Sequence, residues 1–384
     1  MNPRLLRLLA LTLALTACAS AATPTSSPPP AAPAAPQVPT LPPEAIQPPA
    51  SGGIVLAPTR TVTAASPSVT SATSSQPGWT RVDAANPPPA RYDHTLTLDP
   101  LNNKLVLFGG RDGSQTLGDT WIYDLTSRAW HAVKSSPAPE ARFGHAAAYD
   151  AKSRRVLIFA GQASGFFNDV WAFDTAAEKW QKLTTKGTAP AARYGTSAVV
   201  DTNTNQLIIT HGFAAGRFDD TFALDLAANT WAPIVTGDVK PLKRCLHESV
   251  YDARSDRMML FGGCSSGFGP CPQGDLWSLD VNGKTWREVK PGGIKPSARS
   301  NPALVGDGAG RVILFGGKTS DGPSADVWKL DIQKGEWTDL TPSAIGPAAR
   351  SSHDAVWNPA AKQMIVFGGL SSAGALNDVW VLAP

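Results

Sequence analysis

The sequence predicts an all-β chain built from a repeat of about fifty residues, and three observations carry that expectation. A Gly closing an apolar run recurs at Gly110, Gly161, Gly212, Gly263, Gly317 and Gly369, in steps of 51, 51, 51, 54 and 52 residues. Between these glycines lie short runs rich in Val, Ile, Leu, Phe, Tyr and Trp, parted by turn residues, and no segment is long and periodic enough for a helix. Eleven of the twelve Trp fall on just two positions of the repeat, which marks them as packing residues.

The 384 residues divide into two unlike parts. Met1 to Ala17 sets Arg4 and Arg7 ahead of an apolar run, Leu8 to Ala17. That run is shorter than the roughly 20 residues of a bilayer span, so residues 1–17 read as a secretory signal. Leu15-Thr16-Ala17-Cys18 resembles the bacterial lipobox. The resemblance implies a lipidated Cys18 and, with Ala19 following, anchorage in the cell envelope at the outer membrane. The rest of residues 18–77 is dominated by Pro, Ala, Ser and Thr, with almost no charge. Such a stretch buries too little apolar surface to offset its ordering entropy, and a disordered tether is expected. The formal net charge is +3 with both signs interspersed, so no nucleic-acid partner is expected.

Residues 78–384 hold the repeats. The first strand opens at Arg91-Tyr-Asp-His94 and ends at Asp99, where Asp-Pro-Leu-Asn-Asn makes a turn. The second runs from Lys104 to Gly110, the third starts at Asp119-Thr-Trp121, and the fourth carries Trp130. Third strands recur at Asp169-Val-Trp171, Asp220-Thr-Phe222, Asp275-Leu-Trp277, Asp326-Val-Trp328 and Asp378-Val-Trp380; fourth strands carry Trp180, Trp231, Trp286 and Trp337. The last repeat stops after its third strand, and a surplus fourth strand, Gly78 to Val82, precedes the first. The ordered Gly-Gly, Asp-x-Trp and Trp positions resemble the kelch repeat of the galactose oxidase/kelch superfamily. Departures are Ala160-Gly161, His211-Gly212 and Phe222. The resemblance implies a six-bladed kelch-type β-propeller, with the N-terminal strand completing the last blade and closing the ring.

Strand alternation puts the loops after the second strands and the crossovers between blades on one face, where binding residues concentrate. Arg91, Arg142, Arg193, Arg244, Arg299 and Arg350 open the inner strands there. Two readings stand open: an anion-binding ring of guanidiniums, or latches to the Asp that opens each third strand. His94, His145, His247 and His353 read as hydrogen-bonded core residues. Phe166, Phe167, Phe213, Phe218 and Phe268 fall in the long loops of three consecutive blades and suggest a recognition patch. Cys264 and Cys271 bracket the longest loop and suggest a disulfide, with Cys245 to Cys264 as the alternative pairing.

No Zn or Ca ligand spacing is present, nor the Tyr-Cys copper set of galactose oxidase or the E-x-x-x-D-x-x-x-H iron set of nitrile-specifier proteins. No cofactor or catalytic residue is assigned. The expected function is a monomeric, membrane-tethered, non-catalytic binding module for an envelope protein or glycan. The alternative, from the fold resemblance, is a carbohydrate-active enzyme of the sialic acid mutarotase type using Arg244 with Glu140 or Glu248.

Overall fold

The computed structural model describes residues 77–384; the signal, Cys18 and nearly all of the tether lie outside them. The first blade consists of Thr95–Asp99, Lys104–Phe108, Thr120–Asp124 and Ala129–Val133, each antiparallel to the next. The other inner strands are Ala146–Asp150, Ser197–Asp201, Glu248–Asp252, Ala303–Gly306 and Asp354–Asn358. Each lies against the inner strand of the next blade, and the last returns to the first. The expected six-bladed propeller is the fold. Its tight turns rest on Asx chemistry: Asp99 Oδ1 accepts the N–H groups of Leu101 and Asn102 at 3.0 and 3.2 Å.

The ring closes through Gly78–Val82, which pairs with Gly374–Ala383 from Gly78 opposite Ala383 to Val82 opposite Val379. The array therefore ends in a paired strand instead of an open edge.

The core lies between blades. Each fourth-strand Trp meets the Phe that ends the second strand of the preceding blade: Trp180 on Phe108, Trp231 on Phe159, Trp337 on Phe261, Trp79 on Phe315 and Trp130 on Phe367, with centroids 4.7–5.5 Å apart. The third blade has Thr210 where the others have Phe. There His211, standing where the motif has its first Gly, packs toward Trp286 at 6.1 Å.

Three of the expected loops carry strand pairing. Gln363–Ser371 continues into Gly374–Ala383 with Ser371 opposite Gly374, Lys318–Thr319 pairs with Gly322–Pro323, and the third blade shows such a change in a loop assigned to recognition. Gln206–Phe213 and Arg217–Asp225 continue as a hairpin through much of a stretch read as loop, with Phe213 opposite Arg217 and Phe218 opposite Gly212. The small residues Ala214, Ala215 and Gly216 let the chain turn tightly, so the ladder extends past a bulge between Thr210 and Gly212.

A candidate recognition surface on the long-loop face

The six Arg are latches, and the anion-ring reading is corrected. All six side chains are 0% exposed. Each guanidinium forks onto one carboxylate: Arg91 on Asp119, Arg142 on Asp169, Arg193 on Asp220, Arg244 on Asp275, Arg299 on Asp326 and Arg350 on Asp378, at 2.5–3.3 Å. Nη1 also donates to a carbonyl at the end of the second strand, such as Gly109 O at 3.1 Å, and Nε to a carbonyl two residues back, such as Pro89 O at 3.1 Å. Every guanidinium nitrogen is hydrogen-bonded and shut off from solvent, which leaves no open face for an incoming anion.

The Asp-x-Trp motif finishes the latch. Trp121, Trp171, Trp277, Trp328 and Trp380 each donate Nε1–H to the Asp two residues earlier at 2.7–2.8 Å. Burial alone raises the carboxyls of Asp119, Asp169, Asp275, Asp326 and Asp378, but the Arg hydrogen bonds and charge overcome it and hold them below the ordinary range. The Gly of the motif makes room for this construction. Gly110, at φ 94°, donates to Arg142 O at 2.9 Å, and a Cβ there would lie 2.8 Å from Tyr92 O.

The five Phe of the expected patch separate. Phe167 and Phe218 cover the guanidiniums of Arg142 and Arg193, each 4.0 Å from Cζ to ring centroid, and so belong to latches. Phe268 stands alone at 52% exposure, with the Lys243 ammonium 5.4 Å from its ring. Phe166 and Phe213 join rings that the sequence reading missed. Phe166 stacks on Tyr194 at 6.1 Å, Tyr194 meets Phe213 at 5.7 Å, and Phe143 meets Tyr194 at 6.1 Å. Arg111 bridges on to Tyr92, lying 4.3 Å from the Phe143 ring and 4.8 Å from that of Tyr92. Arg217 lies 5.4 Å from the Phe213 ring. The result is one partly exposed aromatic arc over the first three blades, interleaved with two Arg.

A signal for the arc was present in the sequence. The residue after each latch Arg is Tyr92, Phe143 and Tyr194 in the first three repeats, but Cys245, Ser300 and Ser351 in the last three. The next residues, Asp93, Gly144, Gly195, Leu246, Asn301 and Ser352, all have φ of 49–61°. Each donates its N–H to the carbonyl of the equivalent residue in the preceding blade at 2.8–3.1 Å, with Asp93 donating to Ser352. This closed backbone belt holds the arc on a rigid rim.

Beneath the belt a cavity of about 570 Å³ runs along the ring axis. Glu248 and Asp354 face it, on blades flanking the one that contributes Ala303. Asp354 accepts the N–H groups of Leu96 and Ala355, both at 2.7 Å. Burial nevertheless pushes its carboxyl up to about 7, and burial followed by the charge of Asp354 drives Glu248 well above the ordinary range. Glu140 sits exposed on a crossover and does not line this cavity, so of the two carboxylates considered for the enzymatic alternative only Glu248 faces it.

The four His pack between blades. His145 and His247 bond Thr95 and Ser197 at 2.8 Å, while His94 and His353 lie against Phe367 and Phe315 without a side-chain hydrogen bond. Burial, then the nearby Arg charge, keeps His94 and His353 neutral, with His94 pushed down to about 3. Cys264 and Cys271 are joined in a disulfide, and Cys245 is a buried free thiol. Among the described residues no three His, Cys, Asp or Glu gather as metal ligands.

Six blades of four strands, the third with the short strand Lys186–Gly187 added at its outer edge, together with the recurring glycines and the Arg-Asp latch, define a Kelch-type propeller. The chain belongs to the KLHDC2/KLHL20/DRC7 Kelch-repeats domain family, whose model matches residues 61–263 and 252–384. It is similar to Adagio protein 3 of Arabidopsis thaliana, at 27% identity over 73% of this chain and 48% of that protein. It is also similar to acyl-CoA-binding domain-containing protein 4 of the same plant, at 30% identity over 62% of this chain and 37% of that protein. Kelch domain-containing protein 3 of Bos taurus is 24% identical over 74% of this chain and 78% of its own length. The chain spans about half or less of the two plant relatives, which carry further sequence beyond the shared region.

Proposed function

We propose that this chain is a protein-interaction module that receives its partner on the long-loop face, across the arc of Tyr92, Phe143, Phe166, Tyr194 and Phe213. The arc itself carries the reading: linked, partly exposed rings interleaved with Arg111 and Arg217. Aromatic and Arg side chains held on a rigid scaffold are the composition of protein interface hot spots. A protein partner is favoured over a glycan because the rings lean on one another and on guanidiniums, which leaves little open flat platform for a sugar. The mutarotase-type alternative loses its Arg, since Arg244 is spent on Asp275.

The test is affinity capture from the native source with the full chain and with a Phe166→Ala, Phe213→Ala double variant. The reading expects one reproducible protein partner, lost in the double variant while the melting temperature holds. Equal capture by both would remove the arc as the docking surface.

The proposal extends to a lipid anchor at Cys18 in the cell envelope. It is supported by the basic flank, the apolar run of residues 8–17 and Leu15-Thr16-Ala17-Cys18. A multiply acylated Cys would hold the chain firmly, at about 0.8 kcal/mol per buried methylene. Cys18→Ser should abolish radiolabelled palmitate incorporation and move the protein to the soluble fraction; unchanged labelling would exclude the anchor.

A further inference from the structure

We propose that Cys245, Cys264 and Cys271 form a thiol–disulfide exchange site, in which the bond can pass from Cys264–Cys271 to Cys245–Cys264 and so untie the loop that bears Phe268. Cys245 follows the latch Arg244, and Cys264 follows the second Gly of its blade. Their backbones form a reciprocal antiparallel pair: Cys245 N–H donates to Cys264 O at 3.1 Å, and Cys264 N–H to Cys245 O at 2.8 Å. Residues paired in this way have Cα atoms about 5.5 Å apart with side chains on the same side. That separation lies within the roughly 4.4–6.8 Å window of disulfides.

A second observation sets one cation beside both sulfurs. Arg217 is anchored on the carbonyls of Cys264 and Ser266 at 2.9 and 2.6 Å, and its Nη2 lies 3.5 Å from Cys264 Sγ. The same guanidinium interacts with the Cys245 thiol, favouring its thiolate against the burial that raises it. One cation therefore serves both the attacking and the attacked sulfur.

The step is balanced without an outside oxidant or reductant. Cys245 gives up its proton to solvent and attacks Cys264 Sγ. The Cys245–Cys264 bond forms as the Cys264–Cys271 bond breaks, and the electron pair leaves on Cys271 Sγ, which takes a proton from solvent. One disulfide and one thiol remain. The position of the thiol changes, however: Cys245 is 2% exposed, whereas Cys271 lies on the surface. In the exchanged form residues 265–272 lose the covalent staple at their far end while Cys264 stays tied to the rim. This chemistry does not depend on the aromatic arc being the docking surface.

The test is N-ethylmaleimide trapping of the full native chain followed by non-reducing peptide mapping, which keeps Cys18 separate. The proposal expects an adduct on Cys271 together with a Cys245–Cys264 linked peptide; in Cys245→Ser the Cys271 adduct should be lost, because the attacking thiolate is gone. A missing Cys271 adduct, or an adduct on Cys245 with Cys264–Cys271 intact, would overturn it. Cys271→Ser gives an independent reading: in oxidised glutathione it should form the Cys245–Cys264 bond in the folded protein. Separate glutathione adducts on Cys245 and Cys264 would show that the sulfurs cannot meet, and the proposal would fail.

Discussion

A guanidinium taken wholly out of water holds its place only when each of its nitrogens finds a partner, and each latch Arg meets that demand with a carboxylate fork and two carbonyls. Removing one partner leaves the other as an unpaired buried charge, a loss of about 3–5 kcal/mol. Arg142→Ala should accordingly lower the unfolding free energy obtained from urea titration by that much, whereas an anion-site Arg would leave it nearly unchanged. The third blade offers the converse test. Phe222 has no N–H for Asp220, so Phe222→Trp should add the missing bond and stabilise by up to about 1 kcal/mol; a destabilised variant would mean that the indole does not fit. The recurrence of Arg and Asp was legible in the sequence. That they meet was not decidable there, because 27–31 residues separate the partners. The Trp-to-Asp bond was legible in principle, since residues two apart in a strand share a face.

At the scale of strands and blades, packing follows one rule with one local substitution. Five blades set a fourth-strand Trp on a Phe of the blade before it, and the fourth meets His211 instead. Thr210 and His211 thus exchange size between adjacent positions. His211→Gly should open a cavity beside Trp286 and cost about 1–3 kcal/mol. Adding Thr210→Phe should recover most of it, as seen in chemical denaturation; no recovery would contradict the size exchange. Strand order and the closing strand were readable because Trp, Gly and Asp recur in step. The extended hairpin around Phe213 and Phe218 was not, because loop and ladder there differ only in whether Ala214–Gly216 turns tightly. The arc escaped notice for a related reason: Tyr92, Phe143 and Tyr194 sit at strand entries, where an aromatic residue reads equally well as core.

For the whole molecule, closure turns six inner strands into a rim and an axial cavity, and this gives the fold opposing pH dependences. The latch carboxylates have folded pKa values lowered from about 3.8, so their contribution is present above that pH and fades as pH falls through the lowered values. Asp354 is raised to about 7, so its contribution is complete below about pH 4 and is lost as pH climbs to about 7. Glu248 acts in the same sense as Asp354. Stability should therefore fall between pH 5 and pH 8, by a few kcal/mol at most. Glu248→Gln with Asp354→Asn should flatten that fall in urea titrations at the two pH values; an unchanged slope would place its origin elsewhere. The closing strand gives a second global prediction. Removing residues 1–83 exposes the edge of Gly374–Ala383 and should yield self-association by light scattering, because an unpaired long edge templates pairing.

The central claim is that the long-loop face, through its aromatic arc, receives a protein partner. The most direct measurement places a photo-crosslinking phenylalanine analogue at Phe166 or Phe213 and, as the contrast, at Leu101, which is 60% exposed on the opposite, turn-bearing face. Irradiation in the native source should give one discrete cross-linked polypeptide from both arc positions and none from Leu101. Cross-links from Leu101 alone, or equally from all three sites, would contradict the account.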